Sequence, residues 1–410
     1  MLARRLYLIL ILILSSFLFA QKPIKDLKPT VILISLDGFR ADYLDKYEPK
    51  TLLEIARDGV RAKWLIPVFP TKTFTNHYSI ATGLYPENHG IIENNIYDFG
   101  VVFSLSNREE VQNGRWWLGE PIWVTAEKQG VRTATFFFPG TEAEIKGKRP
   151  TFWKAYDGNI PYEERVQTIL KWLDLPAQER PQLLVLYFDE PDTSGHRCGP
   201  ESDCVADAIK KVDKQLRDLV DGLKERKIYK KVNLIIVSDH GMAEVQPKNL
   251  IFLDGYFDLE LAERILWTGE IIQIFPKDGQ KKTIIEKLSS IKHANCWEKE
   301  SIPERFHYRS SHRIAPIICL ADEGWHMTSK ARYEQQKDRF SSGKPFGAHG
   351  YDNSLASMRA IFIAHGKAFK TKKVVEPFNS IDIYNIMAKV LGITPAKNDG
   401  NPKILRKVLR

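Results

Sequence analysis

Three stretches of the chain are continuously aliphatic or β-branched: Thr30–Gly38 (TVILISLDG), Gln182–Asp192 (QLLVLYFDEPD) and Asn233–Gly241 (NLIIVSDHG). A run without polar alternation predicts a strand covered on both faces. Between them lie segments such as VADAIKKVDKQLRDLVDGLKE, whose apolar residues recur at helical spacing. This alternation predicts an α/β fold, with helices on both faces of a mostly parallel sheet in a three-layer α/β/α sandwich. Ligands of such sheets bind outside the carboxyl ends of the strands. Each of the three runs ends in an acid there: Asp37, Asp192 and Asp239. From Phe252 to Gly343 the pattern loses regularity, with short strand candidates IIQIFP and IAPIICLA. It predicts an insertion lobe, residues 252–343, within a catalytic domain spanning 21–400. The chain then returns with the strand RAIFIAHG and a last helix in NSIDIYNIMAKVLGI, capped by Asn379 or Ser380, before a basic tail at 401–410.

The first twenty residues follow another rule. MLARR precedes the apolar run LYLILILILSSFLFA, the shape of a signal peptide ending at Ala20. That run is short for a bilayer span of about twenty residues. It predicts a secreted or periplasmic protein without a stable transmembrane anchor, the alternative being an uncleaved signal anchor. Export gives the four cysteines an oxidising compartment. Three pairings are open; proximity in HRCGPESDCVAD favours Cys198 with Cys204, leaving Cys296 with Cys319. The formal charge of +9 raises the question of nucleic acid. Part of the excess sits in the leader and the tail, and the rest is interspersed with acids. No Lys/Arg stripe of the kind that tracks a phosphate backbone is present, so no nucleic-acid-binding module is expected.

The strand ends carry the chemistry. Asp37 follows ISL, Asp192 and His196 lie in EPDTSGH, Asp239 and His240 in SDHG, and His349 in GAHG. Any one of these alone reads as a turn or cap residue. Together, at one sheet edge and beside glycines, they form a donor set of carboxylates and imidazoles, the ligands of catalytic zinc. Six ligands suffice for two Zn2+ ions.

PTKTFTNHY places Thr71, Thr73 and Thr75 at alternate positions, leading from an extended segment set by Pro67 and Pro70 into a helix ending at Gly83. Thr73 falls at the predicted N-cap, near unpaired backbone N–H groups and the positive end of the helix dipole. Contact with a metal would activate its hydroxyl; Thr71 and Thr75 are expected to be scaffold. Lys72, the one nearby cation, is expected to face solvent.

The segments ISLDGFRADYL, FPTKTFTNHYSIATGLYPENHGIIENNIYD, EPDTSGH, SDHGM and FGAHGYDN, in this order, resemble the nucleotide pyrophosphatase/phosphodiesterase family of the alkaline phosphatase superfamily. The resemblance runs from Val31 to about Leu391. It implies that Asp192, His196 and His349 hold one zinc, that Asp37, Asp239 and His240 hold the other, and that Thr73 bridges toward the second as nucleophile. Asn94 matches the asparagine that donates to a non-bridging phosphate oxygen, and Phe74 and Tyr156 match two aromatics that clamp a nucleobase or other leaving group.

The implied reaction is hydrolysis of a nucleotide phosphodiester or pyrophosphate to a nucleoside monophosphate through a covalent threonine intermediate. A neutral donor such as Asn94 suits the single charge of a diester, whereas a dianionic monoester calls for an added cation. Two departures stand out: Thr75 occupies a position usually held by proline, and Phe138 stands where nucleotide-cleaving members often carry tryptophan. Choline- or lipid-type phosphodiesters, phosphoryl transfer to an alcohol, and ligand binding without turnover stay open at this point.

Overall fold

The computed structural model describes residues 23–410; the signal peptide expected at 1–20 lies outside the described residues. The strand Val31–Leu36 forms the centre of an eight-stranded sheet. Leu183–Phe188 pairs with it in parallel on one side and Asn233–Val237 in parallel on the other. Thr133–Phe136 and then Phe152–Trp153 extend the sheet in parallel beyond Leu183–Phe188. On the opposite flank Phe362–Gly366 runs antiparallel to Asn233–Val237, followed by Val60–Ala62 and Lys373–Val375. The sheet is thus mostly parallel, and RAIFIAHG supplies the one reversed strand.

Alternation along the central strand serves two cores. Ile32, Ile34 and Leu36 pack with the helices Tyr162–Leu173 and Asp203–Glu225, while Val31 and Leu33 pack toward Thr73–Thr82, Ile122–Lys128 and Ile383–Leu391. This is the three-layer sandwich expected. Because the three central strands are parallel and adjacent, their carboxyl ends bring Asp37, Asp192 and Asp239 to one edge.

Residues 262–321 leave this sheet. Ala262–Trp267, Ile271–Pro276, Ile317–Ala321 and Ala294–Glu298 form an antiparallel sheet of their own, in that order, over a third hydrophobic cluster. Its base is the pair Ala243–Val245 with Phe346–Ala348, which ties the segment after His240 to the segment before His349. Cys296 and Cys319 face one another across paired strands and are disulfide-bonded. Cys198 is bonded to Cys204, closing the turn between the short helix Asp192–Cys198 and the long helix Asp203–Glu225.

Three local expectations need correction. The helix after the threonines begins at Thr73, not after it: the Lys72 carbonyl accepts the Asn76 amide at 2.9 Å, so Lys72 is the cap. The last helix begins at Ile383, after a 3-10 turn at Ser380–Asp382, rather than directly at Asn379 or Ser380. The tail at 401–410 contains the short helix Ile404–Val408, and Ile404 and Val408 are buried in the main core. Among the described residues, no helix is long and apolar enough to cross a membrane.

Candidate active site

Asp37, Asp192 and Asp239 meet where the parallel strands end. One oxygen of Asp37 accepts the Tyr187 hydroxyl at 2.6 Å, and one oxygen of Asp239 accepts the Gly38 amide at 3.1 Å. The remaining oxygens, Asp37 Oδ1 and Asp239 Oδ2, and likewise Asp192 Oδ1, are buried without a hydrogen-bond partner. Buried carboxylate oxygens left unsatisfied in one place are costly unless a cation fills the gap between them. Without one, burial pushes the Asp37 carboxyl well above the carboxylate range, reinforced by Asp239 and Asp192. At Asp239 burial acts in the same direction but is outweighed by His240 and His77, which hold it well below that range.

Three histidines complete the cluster, each aimed by a backbone carbonyl. His196 Nδ1 donates to Gly347 O at 2.8 Å, His240 Nδ1 to Gly241 O at 2.8 Å, and His349 Nδ1 to Thr71 O at 2.7 Å. A carbonyl only accepts, so each Nδ1 carries the proton and each Nε2 presents a lone pair, the arrangement of metal-ligating histidine. The Nε2 atoms of His196 and His349 are 3.0 Å apart. They lie 3.4 and 3.5 Å from oxygens of Asp192. His240 Nε2 is 2.9 Å from Asp239 Oδ2 and 3.5 Å from Asp37 Oδ1. The donor set fits two divalent cations.

Two triads whose ligand atoms all lie within 4.8 Å of one another each differ by one histidine from the set implied by resemblance. Asp192 groups with His240 and His349, and Asp37 with Asp239 and His77. His77 was not singled out in the sequence, where it reads as an ordinary helix residue. Its Nε2 is bonded to Ser35 Oγ and its Nδ1 to Thr73 O, both at 2.8 Å, with Asp239 Oδ2 at 3.2 Å from Nδ1. With both nitrogens engaged, His77 supports Asp239 and Thr73 from behind. His196, whose side chain is 39% exposed, is the most open of these histidines and keeps its Nε2 against His349 and Asp192.

Thr73 Oγ1 lies 3.2 Å from His240 Nε2, within the cluster. The two flanking threonines are buried. Thr71 holds the His349 loop through its carbonyl and its hydroxyl, which accepts the Gly350 amide at 2.9 Å. Thr75 Oγ1 has no partner, so the threonine is accommodated at this first-turn position without a bond. Asn76, also missed in the sequence, pins the turn: it accepts the Val68 amide at 2.7 Å and donates to Pro70 O and Lys72 O.

Asn94 Oδ1 accepts the Phe74 amide at 3.0 Å, which leaves its NH2 free to donate beside Thr73. Phe74 and Tyr156 line one cavity of about 200 Å³ together with Asp37, Thr73, Phe138 and Asp192. Tyr156 is 40% exposed and packs on Phe137; Phe74 packs on Phe103 and Trp117. The expectation for Lys72 is overturned. It is buried, and its Nζ lies 2.6 Å from Glu270, in the turn joining Ala262–Trp267 to Ile271–Pro276 of the separate antiparallel sheet. A local reading could not see that partner, nearly two hundred residues away.

Residues 31–352 match the family described as type I phosphodiesterase / nucleotide pyrophosphatase. The chain belongs to that family. It is 40% identical over 394 residues to venom phosphodiesterase CdcPDE of Crotalus durissus collilineatus, covering 93% of this chain and 46% of the relative. It is 40% identical over 395 residues to ectonucleotide pyrophosphatase/phosphodiesterase family member 3 of Bos taurus, covering 93% and 44%. The chain therefore spans less than half the length of these type I phosphodiesterases. Murine ectonucleotide pyrophosphatase/phosphodiesterase 5 superposes with a TM-score of 0.86 at 35% identity, over 93% of this chain and 100% of that structure. The same murine protein has been solved as an inactive threonine-to-alanine variant in complex with AMP, with the same TM-score at 34% identity.

Proposed function

We propose that this chain is an exported two-zinc phosphodiesterase/pyrophosphatase that hydrolyses nucleotide phosphodiester or pyrophosphate bonds through a covalent intermediate on Thr73. The observation that supports this most directly is the convergence of three histidine lone pairs and three unpartnered buried carboxylate oxygens beside the Thr73 hydroxyl. Asp192, His196 and His349 would hold one ion; Asp37, Asp239 and His240 would hold the other, with Thr73 bridging toward it. Bound zinc supplies Lewis acidity, lowering the pKa of a ligated hydroxyl and offsetting phosphate charge.

The residues of the chain then account for the rest. The substrate's nucleoside enters between Phe74 and Tyr156, and Asn94 donates to a non-bridging oxygen. Thr73 Oγ1 gives up its proton to solvent and attacks phosphorus; the Oγ1–P bond forms as the bond to the leaving oxygen breaks, its electron pair going to the leaving oxygen. Water then attacks the same phosphorus, the Oγ1–P bond breaks, Thr73 regains its proton and a nucleoside monophosphate departs. The AMP complex of the murine relative, solved with an inactive threonine variant, supports both the nucleotide and the threonine. The two disulfides support export, because such bonds persist in oxidising compartments.

The test is hydrolysis by the zinc-loaded protein of three p-nitrophenyl esters: a nucleotide diester, a phosphorylcholine diester and the simple monoester. Preference for the nucleotide diester is expected. Preference for phosphorylcholine would move the substrate to choline esters, preference for the monoester would overturn the role of Asn94, and no turnover would overturn the enzyme reading.

A further inference from the structure

A second cavity, of about 380 Å³, adjoins the candidate reaction centre. Leu105 borders both cavities. The first holds Thr73, Phe74 and Tyr156 on its wall; the second is walled by Asn94, His196 and His349 near the centre and by Lys72, Glu270, His326, Trp267 and Arg339 further out. In an in-line displacement the attacking and leaving oxygens lie on opposite sides of phosphorus. With Thr73 attacking from the wall of the first cavity, the leaving group departs away from Thr73, and the second cavity, which Thr73 does not line, is the adjoining space that can take it.

The charge of that second cavity is set by contacts far apart in the chain. Lys72 follows the extended segment into the active-site helix, and its stem lies against Gly350, beside His349. A Cβ at 350 would come within 2.4 Å of Lys72 Cε, and the backbone there has a φ of +122°, so the glycine makes room for the lysine. The ammonium is 2.6 Å from Glu270 Oε2, and the other oxygen of Glu270 lies 3.1 Å from His326 Nδ1. Burial would raise the Glu270 carboxyl, but Lys72 and His326 outweigh it and hold it down at about 2. This buried ion pair offsets the lysine's charge on the wall. Arg339, stacked 4.2 Å over Phe346, is the cation left on this wall, and Trp267 offers a flat apolar side.

We propose that this second cavity is the leaving-group site and that Glu270, by neutralising Lys72, tunes it to leaving groups of low charge: the nucleoside monophosphate half of a dinucleotide in preference to inorganic pyrophosphate. The assignment rests on the phosphodiesterase reading above. Glu270 acts through Lys72 and is a positioning residue.

The experiment compares kcat and KM for diadenosine diphosphate and for ATP, using the zinc-loaded full chain. Wild type should favour the dinucleotide. Glu270→Gln frees one buried positive charge and should raise the ATP-to-dinucleotide ratio of kcat/KM by about tenfold, mainly through KM for ATP. The double variant Lys72→Met/Glu270→Gln should return the ratio to the wild-type value. In the Thr73→Ala background, calorimetry should show Glu270→Gln binding pyrophosphate about tenfold more tightly. Removing one partner of a buried pair costs stability, so Arg339→Gln, on the short helix Lys337–Ser341, provides a second route. It should lower the ratio by a similar factor. A ratio unmoved by both Glu270→Gln and Arg339→Gln, or by Arg339→Gln alone where Glu270→Gln does not fold, overturns the assignment while leaving the phosphodiesterase reading intact. Turnover of neither substrate by wild type overturns that reading and this assignment with it.

Discussion

Thr71 and His349, 278 positions apart, are joined by a 2.7 Å hydrogen bond from the imidazole Nδ1 to the Thr71 carbonyl. The Thr71 hydroxyl also accepts the Gly350 amide and donates to Tyr351 O at 3.0 Å. One residue thus registers the segment carrying the proposed nucleophile against the loop that carries His349, a proposed metal ligand. Thr71→Val keeps the volume but strands the Gly350 amide, a loss of about 1–3 kcal/mol. Denaturant titration should show that loss, and kcat should fall by about tenfold as His349 loses its register.

The carboxylate cluster predicts a reversal on metal removal. In chelator, Asp37, Asp192 and Asp239 are left as buried neighbours with unpartnered oxygens. Asp37→Asn removes the cost of holding that buried carboxyl against its charged neighbours and should melt at a higher temperature than wild type in chelator. In excess zinc the order should invert, because wild type gains the ligand's stabilisation of the folded state. Metal analysis should find one fewer tightly bound ion in the variant, and turnover should be lost.

The aromatic walls predict a binding effect. Stacking of a base on an aromatic side chain contributes about 1–3 kcal/mol. Tyr156→Ala should raise KM for a nucleotide diester by about tenfold with kcat little changed, and should leave a phosphodiester without a base unaffected. Steady-state kinetics on the two substrates checks this.

Glu93 gives a pH dependence. It is fully buried, Oε2 accepts the Asn95 amide at 2.7 Å, and Oε1 has no partner. Burial raises its carboxyl to about 7, against the lowering effects of Lys72 and Thr268; Glu270 adds to the rise. A raised acid holds its proton in the folded state while the unfolded chain releases it, so its contribution to stability falls as pH climbs from the unfolded value near 4.5 to about 7. Glu93→Gln removes that penalty. Relative to wild type it should gain up to about 3 kcal/mol between pH 4.5 and pH 8, read by denaturant midpoints at each pH.

Much of this was legible in the sequence because the chemistry sits where strand patterning is strongest. Buried parallel strands announce themselves by unbroken aliphatic runs, and their last residues fall at the ligand edge of the sheet. Asp37, Asp192, Asp239 and His240 were found by that rule, and the threonines by their place before a helix. What stayed hidden depends on distant partners. Lys72 reads as a surface lysine until Glu270 is brought to it from a turn of another sheet, and His77 reads as a helix residue until Ser35 closes over its ring. The exact helix start moved by one residue because the Asn76 side chain, not the local propensity, fixes the turn.

The central claim is that Thr73 carries the chemistry and the cluster around it carries the metal. The most direct measurement is turnover of the nucleotide p-nitrophenyl diester by Thr73→Ala, with zinc content determined on the same sample. A loss of about a thousandfold or more with near-normal zinc and an unchanged fold is expected. Turnover retained at the wild-type level, with zinc bound, would contradict the assignment of Thr73 as nucleophile.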